Sequence, residues 1–485
     1  MTDNTPVLVG IAQLEQRISD PAQAKEPIEL MIDAVQAAAA DAGTSELLKA
    51  TSVRVVRGIW GYENPAAAVA SAIGNPGAET ALTPYGGNFV QTTVNRSALD
   101  IQSGKHDAII ITGAECGNTQ AKAARAGHEL TWQAIPGTPD LMLGEEKEMR
   151  HEAEKAIRLG RPIQLYPIFE TALRHNQGLG VTEHLEKISN LWAGFSDVAA
   201  SNPNAWIREA KTAQEIRTPS EINRPVSFPY PKFLNSNNNV DQGAALILCS
   251  TDHARKLGIP EEKWVYPWAG TDAHDHYFVS NRDTLYTSPA IRIAGNRCLE
   301  LAGIEVGDID KVDVYSCFPV AVQVAARELN LDQTKPLTVT GGLTWAGGPL
   351  NNYVMHSIAQ MASLLRDNPG EKGLITANGG YLTKHAFGVY SSTPPEQAFR
   401  HQDVQPEVDQ TFKREVDMNF SGSGEVEGYA VMYDNTGPAN AFVAIRTPDE
   451  RRAWATTTDA DVLEQMTKEE FCGRTAAVNQ HVANF

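Results

Sequence analysis

The order of hydrophobic and polar positions predicts alternating helices and strands over most of the chain. Residues 27–43 place apolar side chains on one helical face and end at a glycine, which predicts an amphipathic helix. Short apolar runs such as PVLVGIAQ, DAIIITGAE and GLITA predict strands, the last two buried on both faces. Helices that alternate with buried strands are typical of an α/β fold.

The stretch from Thr338 to Ser392 contains two glycine-rich loops around a helix and a strand. The helix is predicted over residues 352–366, and GLITA is the strand. One loop opens the helix and the other follows the strand, so we expect both at the same end of the sheet. Glycines let another group approach the backbone closely. Polar groups held there predict a ligand site.

Two segments of the first half recur in the same order in the second half. SPAIRIAGNRCLELAGIEVGDIDKVDVYSCF follows the plan of PIELMIDAVQAAAADAGTSELLKATSVRVVRGIW. GGPLNNYVMHSIAQMASLLRDNPGEKGLITANGG follows that of GGNFVQTTVNRSALDIQSGKHDAIIITGAE. The order of elements matches twice, which predicts an internal duplication. The helix starts at Gly86–Asn88 and Gly347–Asn351 would then meet near the centre.

Two regions depart from this pattern. Residues 117–225 are more charged and have no strand signal, so we predict a mostly helical insertion. Residues 396–415 are polar and linker-like, and the following strands and short helix predict a small β-rich domain. The predicted parts are an N-terminal half (1–260) that includes the insertion, a C-terminal half (261–395) and an additional domain (410–485).

Composition excludes several classes of function. The 485 residues are 42% hydrophobic, which provides a sizeable core, and the formal net charge is −18. This charge argues against nucleic acid and against anionic membrane surfaces as partners. The five cysteines have no paired spacing, so we expect a reduced, cytoplasmic protein. No basic start or long apolar run predicts a signal peptide or a membrane span.

Taken together, these features resemble the thiolase superfamily over residues 5–395. DQGAALILCS is similar to a strand rich in Asp, Gly and Ala in thiolases, and SCF resembles the Asp-Cys-Phe form of sterol-carrier-type thiolases. The tail resembles the extra domain of the thiolase-like protein type 1 group. The resemblance implies two α/β halves in a layered α-β-α-β-α core, a helical insertion and a small C-terminal domain with an oligonucleotide-fold-like barrel.

The catalytic residues of thiolases do not carry over with the fold. Where the resemblance places a nucleophilic Cys, this chain has Gly86 or Gly87. The Gly-His-Pro motif reads Gly347-Gly348-Pro349, and the Cys-x-Gly loop reads Ala377-Asn378-Gly379. In thiolases an Asn helps to bind the thioester oxygen, and the resemblance places the corresponding position of this chain near Tyr315. The resemblance therefore implies that the usual covalent mechanism cannot operate here, because glycine offers no nucleophile.

Two reactive side chains remain near the predicted site. Cys317 precedes a predicted helix, whose N-terminus would favour the thiolate, and His385 could act as a base. Each also has a structural interpretation, Cys317 as a small buried hydrophobe and His385 as a hydrogen-bonding side chain. The glycine pairs could serve packing alone, and Asn351 could be an N-cap. The predicted substrate-binding residues are Gly86, Gly87, Asn88, Gly347, Gly348, Asn351 and Asn378.

Two weaker signals complete the site predictions. His274 and His276 have a metal-binding spacing on a strand, but without a third ligand we expect no metal. If the insertion covers the site, its aromatic residues would suit a bulky or ring-containing acyl group. These residues are Trp132, Tyr166, Phe169, Trp192 and Phe195.

Two functions follow from the resemblance. One is an acyltransferase that acts on acyl-CoA thioesters in lipid, sterol or related metabolism, with His385 as base and Cys317 as nucleophile. The other is a catalytically inactive protein that binds an acyl-CoA, a lipid or a partner protein. No cofactor is expected beyond a coenzyme A thioester as possible substrate, and the protein is expected to be a monomer or a homodimer.

Overall fold

The first half alternates helices and strands as predicted, and the insertion is mainly helical, in a computed structural model that describes residues 4–485. The first half contains β1 (Pro6–Glu15), α1 (Pro27–Asp41), β2 (Ser52–Val55), α2 (Pro65–Ala72), β3 (Glu79–Leu82), α3 (Phe89–Gln102) and β4 (Ala108–Cys116). The following region contains α4 (Gly117–Ala126), β5 (Leu141–Met142), α5 (Glu152–Ala156), α6 (Pro162–Asn176), α7 (Val181–Ser201), α8 (Ala213–Arg217), β6 (Pro225–Phe228), β7 (Tyr230–Pro231), β8 (Asp241–Ser250) and α9 (Thr251–Lys256).

The rest of the chain forms a second α/β half and a β-rich end. The second half contains β9 (Tyr266–His274), α10 (Pro289–Ala302), β10 (Lys311–Asp313), α11 (Pro319–Glu328), α12 (Gly342–Trp345), α13 (Tyr353–Asp367), β11 (Lys372–Gly379), β12 (Lys384–Ser391), β13 (Arg400–Asp403) and α14 (Gln405–Val408). The end contains β14 (Gly422–Tyr433), β15 (Pro438–Arg446), β16 (Arg452–Thr457), α15 (Ala460–Met466), β17 (Thr475–Asn479) and β18 (Val482–Asn484).

Two central sheets share one strand order, which confirms the predicted duplication. The first sheet runs β1-β8-β4-β2-β3-β5, and the second runs β13-β9-β12-β11-β10. Strands β9, β12, β11 and β10 thus take the places of β1, β8, β4 and β2. Helices α3 and α13 lie between the sheets and contact strands of both, while α1 and α10 cover their outer faces. The result is the five-layered core that the resemblance implied.

Several boundaries differ from the sequence-based predictions. The predicted strand SVRVVRGIWG is only four residues long, because the chain turns away after Val55 and Glu115 accepts the N–H of Ile59. The region predicted as a linker contains β13, which pairs in parallel with β9. The insertion also contributes strand β5, which pairs with β3 at the edge of the first sheet. Such short pairings leave no period that a sequence pattern can reveal.

The C-terminal strands close into a small barrel that is joined to the rest of the protein. Strand β14 pairs with both β15 and β17, and β16, β18 and β17 complete the ring. Strand β14 also pairs with β6, which begins where the insertion ends, so this segment and the barrel share one sheet. The sequence predicted the hairpin and the β-rich domain, but not this pairing, which depends on residues about two hundred positions apart.

Two fully buried arginines hold the barrel against the α/β core and against the insertion. Arg452 forms an ion pair with Glu427, with Nε 2.8 Å from the carboxylate. It also donates to the backbone oxygens of Val279, Ser280, Arg282 and Asp283. Arg174 of α6 donates to Glu470 and to the Tyr429 hydroxyl, both at 2.8 Å. These contacts satisfy charges that would be costly to bury alone.

A buried carboxylate fixes the glycine-rich stretch beside the central helices. Asp313, at the end of β10, accepts hydrogen bonds from the Thr338 and Thr340 hydroxyls and from the Val339 N–H. Its other oxygen accepts from the Tyr353 and Ser357 hydroxyls at the start of α13. Because one side chain bonds to both the loop and the helix, the loop that precedes α13 has a defined position.

Candidate functional site

A cavity of about 440 Å³ lies where the turn at Gly86 and Gly87, the turn at Gly379 and Gly380, and the insertion meet. The turn before α3, the loop before β8, the start of α6 and the end of β11 form its walls. Its polar side chains are amides, hydroxyls and a thiol: Asn235, Ser236, Asn238, Asn351, Asn378, Tyr85, Tyr166, Tyr315, Tyr381 and Cys317. The other large side chains are Met149, Ile163, Phe318, Leu343 and Leu350.

The turn before α3 is packed so closely that only glycine fits at its centre. A Cβ atom on Gly87 would lie 2.5 Å from the Asn378 carbonyl oxygen and 2.5 Å from the Tyr315 hydroxyl oxygen. Gly86 has a φ of +152°, and Asn88 has no hydrogen-bond partner for its buried amide oxygen. Gly86 and Gly87 line the cavity, whereas the buried Asn88 side chain does not.

The second glycine pair lies beside the cavity and does not line it. A Cβ atom on Gly347 would lie 2.3 Å from the Gln242 side-chain oxygen. The Gly348 N–H donates to the Asn237 carbonyl oxygen at 2.9 Å. Gly348, which was predicted as a substrate-binding residue, therefore has its N–H already bound within the fold.

Cys317 lines the cavity, but its surroundings do not favour a thiolate. The residue is buried, and burial raises the pKa of the thiol to about 12. The Asn378 amide nitrogen lies 3.7 Å from the sulfur and donates to the Tyr166 hydroxyl at 2.9 Å. The helix N-terminus of α11 was expected to lower this pKa, and that expectation is wrong. Cys317 precedes the N-cap Phe318, and desolvation outweighs the hydrogen bonds it accepts.

This environment predicts slow alkylation of Cys317. Only the thiolate reacts with iodoacetamide, and its fraction rises with pH until the pKa is reached. We expect the rate at Cys317, followed by peptide mass spectrometry, to keep rising to at least pH 10 in the native protein. The same peptide in denatured protein, with an ordinary thiol pKa, provides the control. A plateau near neutral pH in the native protein would contradict the assignment.

His385 lies behind the cavity wall and not in it. It is the cross-strand partner of Asn378, and its side chain is only 2% exposed. Its Nε2 atom is 3.7 Å from the Asp275 carboxylate. Although burial opposes ionisation, His385, Arg282 and Ser288 keep the pKa of Asp275 below its usual value. The structure thus places His385 in a buried network that also caps α10 through the Ala290 N–H.

The predicted amide side chains of Asn378 and Asn351 both line the cavity, but they differ in their hydrogen bonds. Asn378 is 5% exposed, lines the cavity and has no partner for its amide oxygen. Asn351 also lines the cavity, but its amide nitrogen donates to the Arg57 carbonyl oxygen at 2.7 Å. The N-cap of α13 is Asn352, so the N-cap interpretation of Asn351 is wrong.

Sequence reasoning missed most of the wall that faces the glycine turn. Of the five aromatic residues proposed from the insertion, only Tyr166 lines the cavity, where its ring stacks on Phe318 at 4.4 Å. The others do not line it: Trp132, Phe169, Trp192 and Phe195. The polar run NSNNN before β8 was the available signal, because Asn235 and Asn238 in it line the site.

The His274 and His276 pair does not assemble a metal site. Their ring nitrogens face the backbone oxygens of Asp275 and Phe412. No group of three or more potential ligands occurs within residues 4–485. Over the same residues, no helix has both the length and the hydrophobicity to cross a bilayer.

Comparisons with known proteins agree with the fold and the added barrel. A family profile described as "Thiolase-like protein type 1 additional C-terminal domain" matches residues 403–482. An acetyl-CoA acetyltransferase of Methanothermobacter thermautotrophicus is 24% identical over 316 residues, which span 60% of this chain and 74% of that protein. The dimeric peroxisomal thiolase of Saccharomyces cerevisiae shares the fold, with a TM-score of 0.57 and 15% identity over 81% of this chain and 98% of that one.

One solved structure matches this protein from end to end. The crystal structure of a monomeric SCP2-thiolase like protein type 1 from Mycobacterium smegmatis has a TM-score of 0.86 and 30% sequence identity. The match covers 100% of both chains, including the barrel and the insertion. On this similarity, together with the C-terminal profile, the chain belongs to the SCP2-thiolase-like protein type 1 family.

Proposed function

We propose that this thiolase-superfamily protein binds an acyl thioester in the cavity without forming a covalent intermediate. The observation that carries the proposal is the occupied space at Gly87. The Tyr315 hydroxyl and the Asn378 carbonyl fill the volume that any side chain at this position would need. A nucleophile cannot be carried by this turn in its present geometry, yet the cavity beside it remains open.

The turn itself is suited to bind a carbonyl oxygen. The N–H groups of Gly86, Gly87 and Asn88 have no acceptor among residues 4–485, and they precede a helix of 14 residues. Free N–H groups at a helix N-terminus attract negative or partly negative oxygen atoms. The Tyr315 hydroxyl adds a donor on the same wall, since burial raises the pKa of Tyr315 and keeps it protonated. A thioester carbonyl is the ligand group that fits these donors.

Acyl transfer is the second candidate function, because Cys317 lines the same cavity. Relatives with acetyl-CoA acetyltransferase names support this chemistry and support acyl-CoA as the natural thioester. Its weakness is the absence of activation: burial keeps the Cys317 thiol protonated, and His385 lies outside the cavity lining. Free cysteines are typical of a reducing compartment, and the five free, buried cysteines of this protein support the proposed cytoplasmic setting.

Binding and turnover can be measured on the same thioesters. We expect calorimetry to detect binding of N-acetylcysteamine thioesters, while thiol release stays at the rate of the buffer. Asn378→Leu should weaken binding, because the leucine cannot accept or donate hydrogen bonds. Ile222→Leu, at a side chain 62% exposed and outside the cavity, serves as control. Thiol release that disappears in Cys317→Ser or His385→Ala would overturn the proposal in favour of acyl transfer.

A further inference from the structure

The cavity is lined entirely by uncharged residues. Within residues 4–485, no Asp, Glu, His, Lys or Arg belongs to its wall. Its polar groups are amides, hydroxyls, one thiol and backbone atoms, set between apolar and aromatic side chains. Of all residues in the protein 21% are charged, whereas none of the twenty wall residues is, so the cavity differs in charge from the rest of the molecule.

Two cations close to the turn before α3 form contacts within the fold. Lys384 is 7% exposed, donates to the Tyr85 carbonyl oxygen and lies 5.1 Å from the centre of the Phe89 ring. Arg57 stacks on the ring of Tyr85, with its guanidinium carbon 4.9 Å from the ring centre. Neither cation belongs to the wall, although both contact the wall residue Tyr85, and Lys384 Nζ would lie 2.9 Å from a Cβ atom on Gly86. The Lys384 ammonium is already bound to a backbone oxygen, so an anion in the cavity would find no charged side chain in the wall itself.

We infer that the cavity selects uncharged acyl groups and rejects acyl chains that end in a carboxylate. In the proposed binding mode the thioester carbonyl uses the free N–H groups of the turn before α3. A carboxylate at the far end of the acyl chain would lose its hydration against a wall without a charged side chain, and this loss is not compensated. An uncharged carboxamide or hydroxyl loses less, because the wall amides and hydroxyls can replace its bonds to water. The charged nucleotide part of a coenzyme A thioester would remain outside. The inference rests on the proposed function, since it concerns the ligand of the same cavity.

A pair of thioesters of equal shape tests this inference. Succinamoyl- and succinyl-N-acetylcysteamine differ only in a terminal carboxamide or carboxylate, and butyryl-N-acetylcysteamine is the reference without either group. At pH 7 we expect the carboxamide to bind at least about tenfold more tightly than the carboxylate. Below pH ~4.3 the carboxylate becomes protonated and uncharged, so the difference should disappear as the pH falls through this range.

A cation introduced into the wall should reverse the preference. Ile163→Lys places an ammonium on α6 at the cavity and should improve succinyl binding relative to succinamoyl. Ile222→Lys, at an exposed site outside the cavity, is the matched control and should change neither affinity. Equal binding of the two compounds by the unmodified protein would overturn the inference and leave the proposed function intact. If none of the three thioesters binds, the proposed function and the inference both fail.

Discussion

Gly87→Ala is expected to lower the affinity for acyl thioesters by at least about tenfold. The new methyl group would lie 2.5 Å from a backbone oxygen of β11 and 2.5 Å from the Tyr315 hydroxyl, so the turn must move. Overpacking of this kind costs about 1–3 kcal/mol of folding free energy. The movement also displaces the N–H groups that we propose as carbonyl donors. Calorimetric titration and thermal unfolding of the same variant measure both effects.

Gly61→Ala provides the control for this experiment. A Cβ atom at Gly61 would meet no other atom within 4 Å, so the substitution changes the backbone entropy without a clash. We expect it to leave binding unchanged. If Gly87→Ala binds thioesters as well as the unmodified protein, the turn does not hold the ligand carbonyl. The proposed binding mode would then be wrong, even if the cavity itself is occupied.

Arg452→Met is expected to destabilise the protein by about 3–5 kcal/mol. The arginine is fully buried, and its loss would leave the Glu427 carboxylate and the backbone oxygens of Ser280 and Arg282 without a donor. Methionine has a similar length but cannot donate a hydrogen bond. Denaturant unfolding gives the change in free energy. If the barrel unfolds at a lower denaturant concentration than the α/β core, the unfolding curve will show a separate early transition.

Arg446→Met removes an arginine from the same barrel and serves as the matched control. Arg446 also forms an ion pair, with Glu425 at 2.6 Å, but the two side chains are 35% and 46% exposed. Water can replace this interaction, and exposed pairs contribute about 0–1 kcal/mol. Equal effects of the two substitutions would contradict the view that Arg452 holds the barrel to the core.

The periodicity of the sequence was sufficient to predict the duplicated core. Helices α1, α10, α3 and α13 have clear apolar patterns because they pack against the sheets. Strands β4 and β11 have them because they lie inside the sheets. Strand β12 was not assigned, and this omission misled the interpretation of His385. Neighbouring residues of a strand face opposite sides. Lys384 therefore approaches the turn at Gly86, whereas His385 faces Asp275 on the other side.

The contents of the site could not be predicted from local pattern. The glycine pairs identified where the chain comes close to something, but not what occupies the space. Gly87 is opposed by Tyr315, and Gly347 by Gln242, from segments more than a hundred residues away. The same limit applies to Cys317, because its pKa is set by desolvation from surrounding elements and not by its place before a helix.

The two-residue strand β5 has a consequence for how the first sheet ends. An unpaired edge strand is a template on which another chain can add a strand. Here the edge of β3 is occupied by Leu141 and Met142 from the protein's own insertion. Any chain that extended the sheet along β3 would first have to displace this segment. The insertion thus covers this edge of β3 against strand addition and also forms one wall of the cavity.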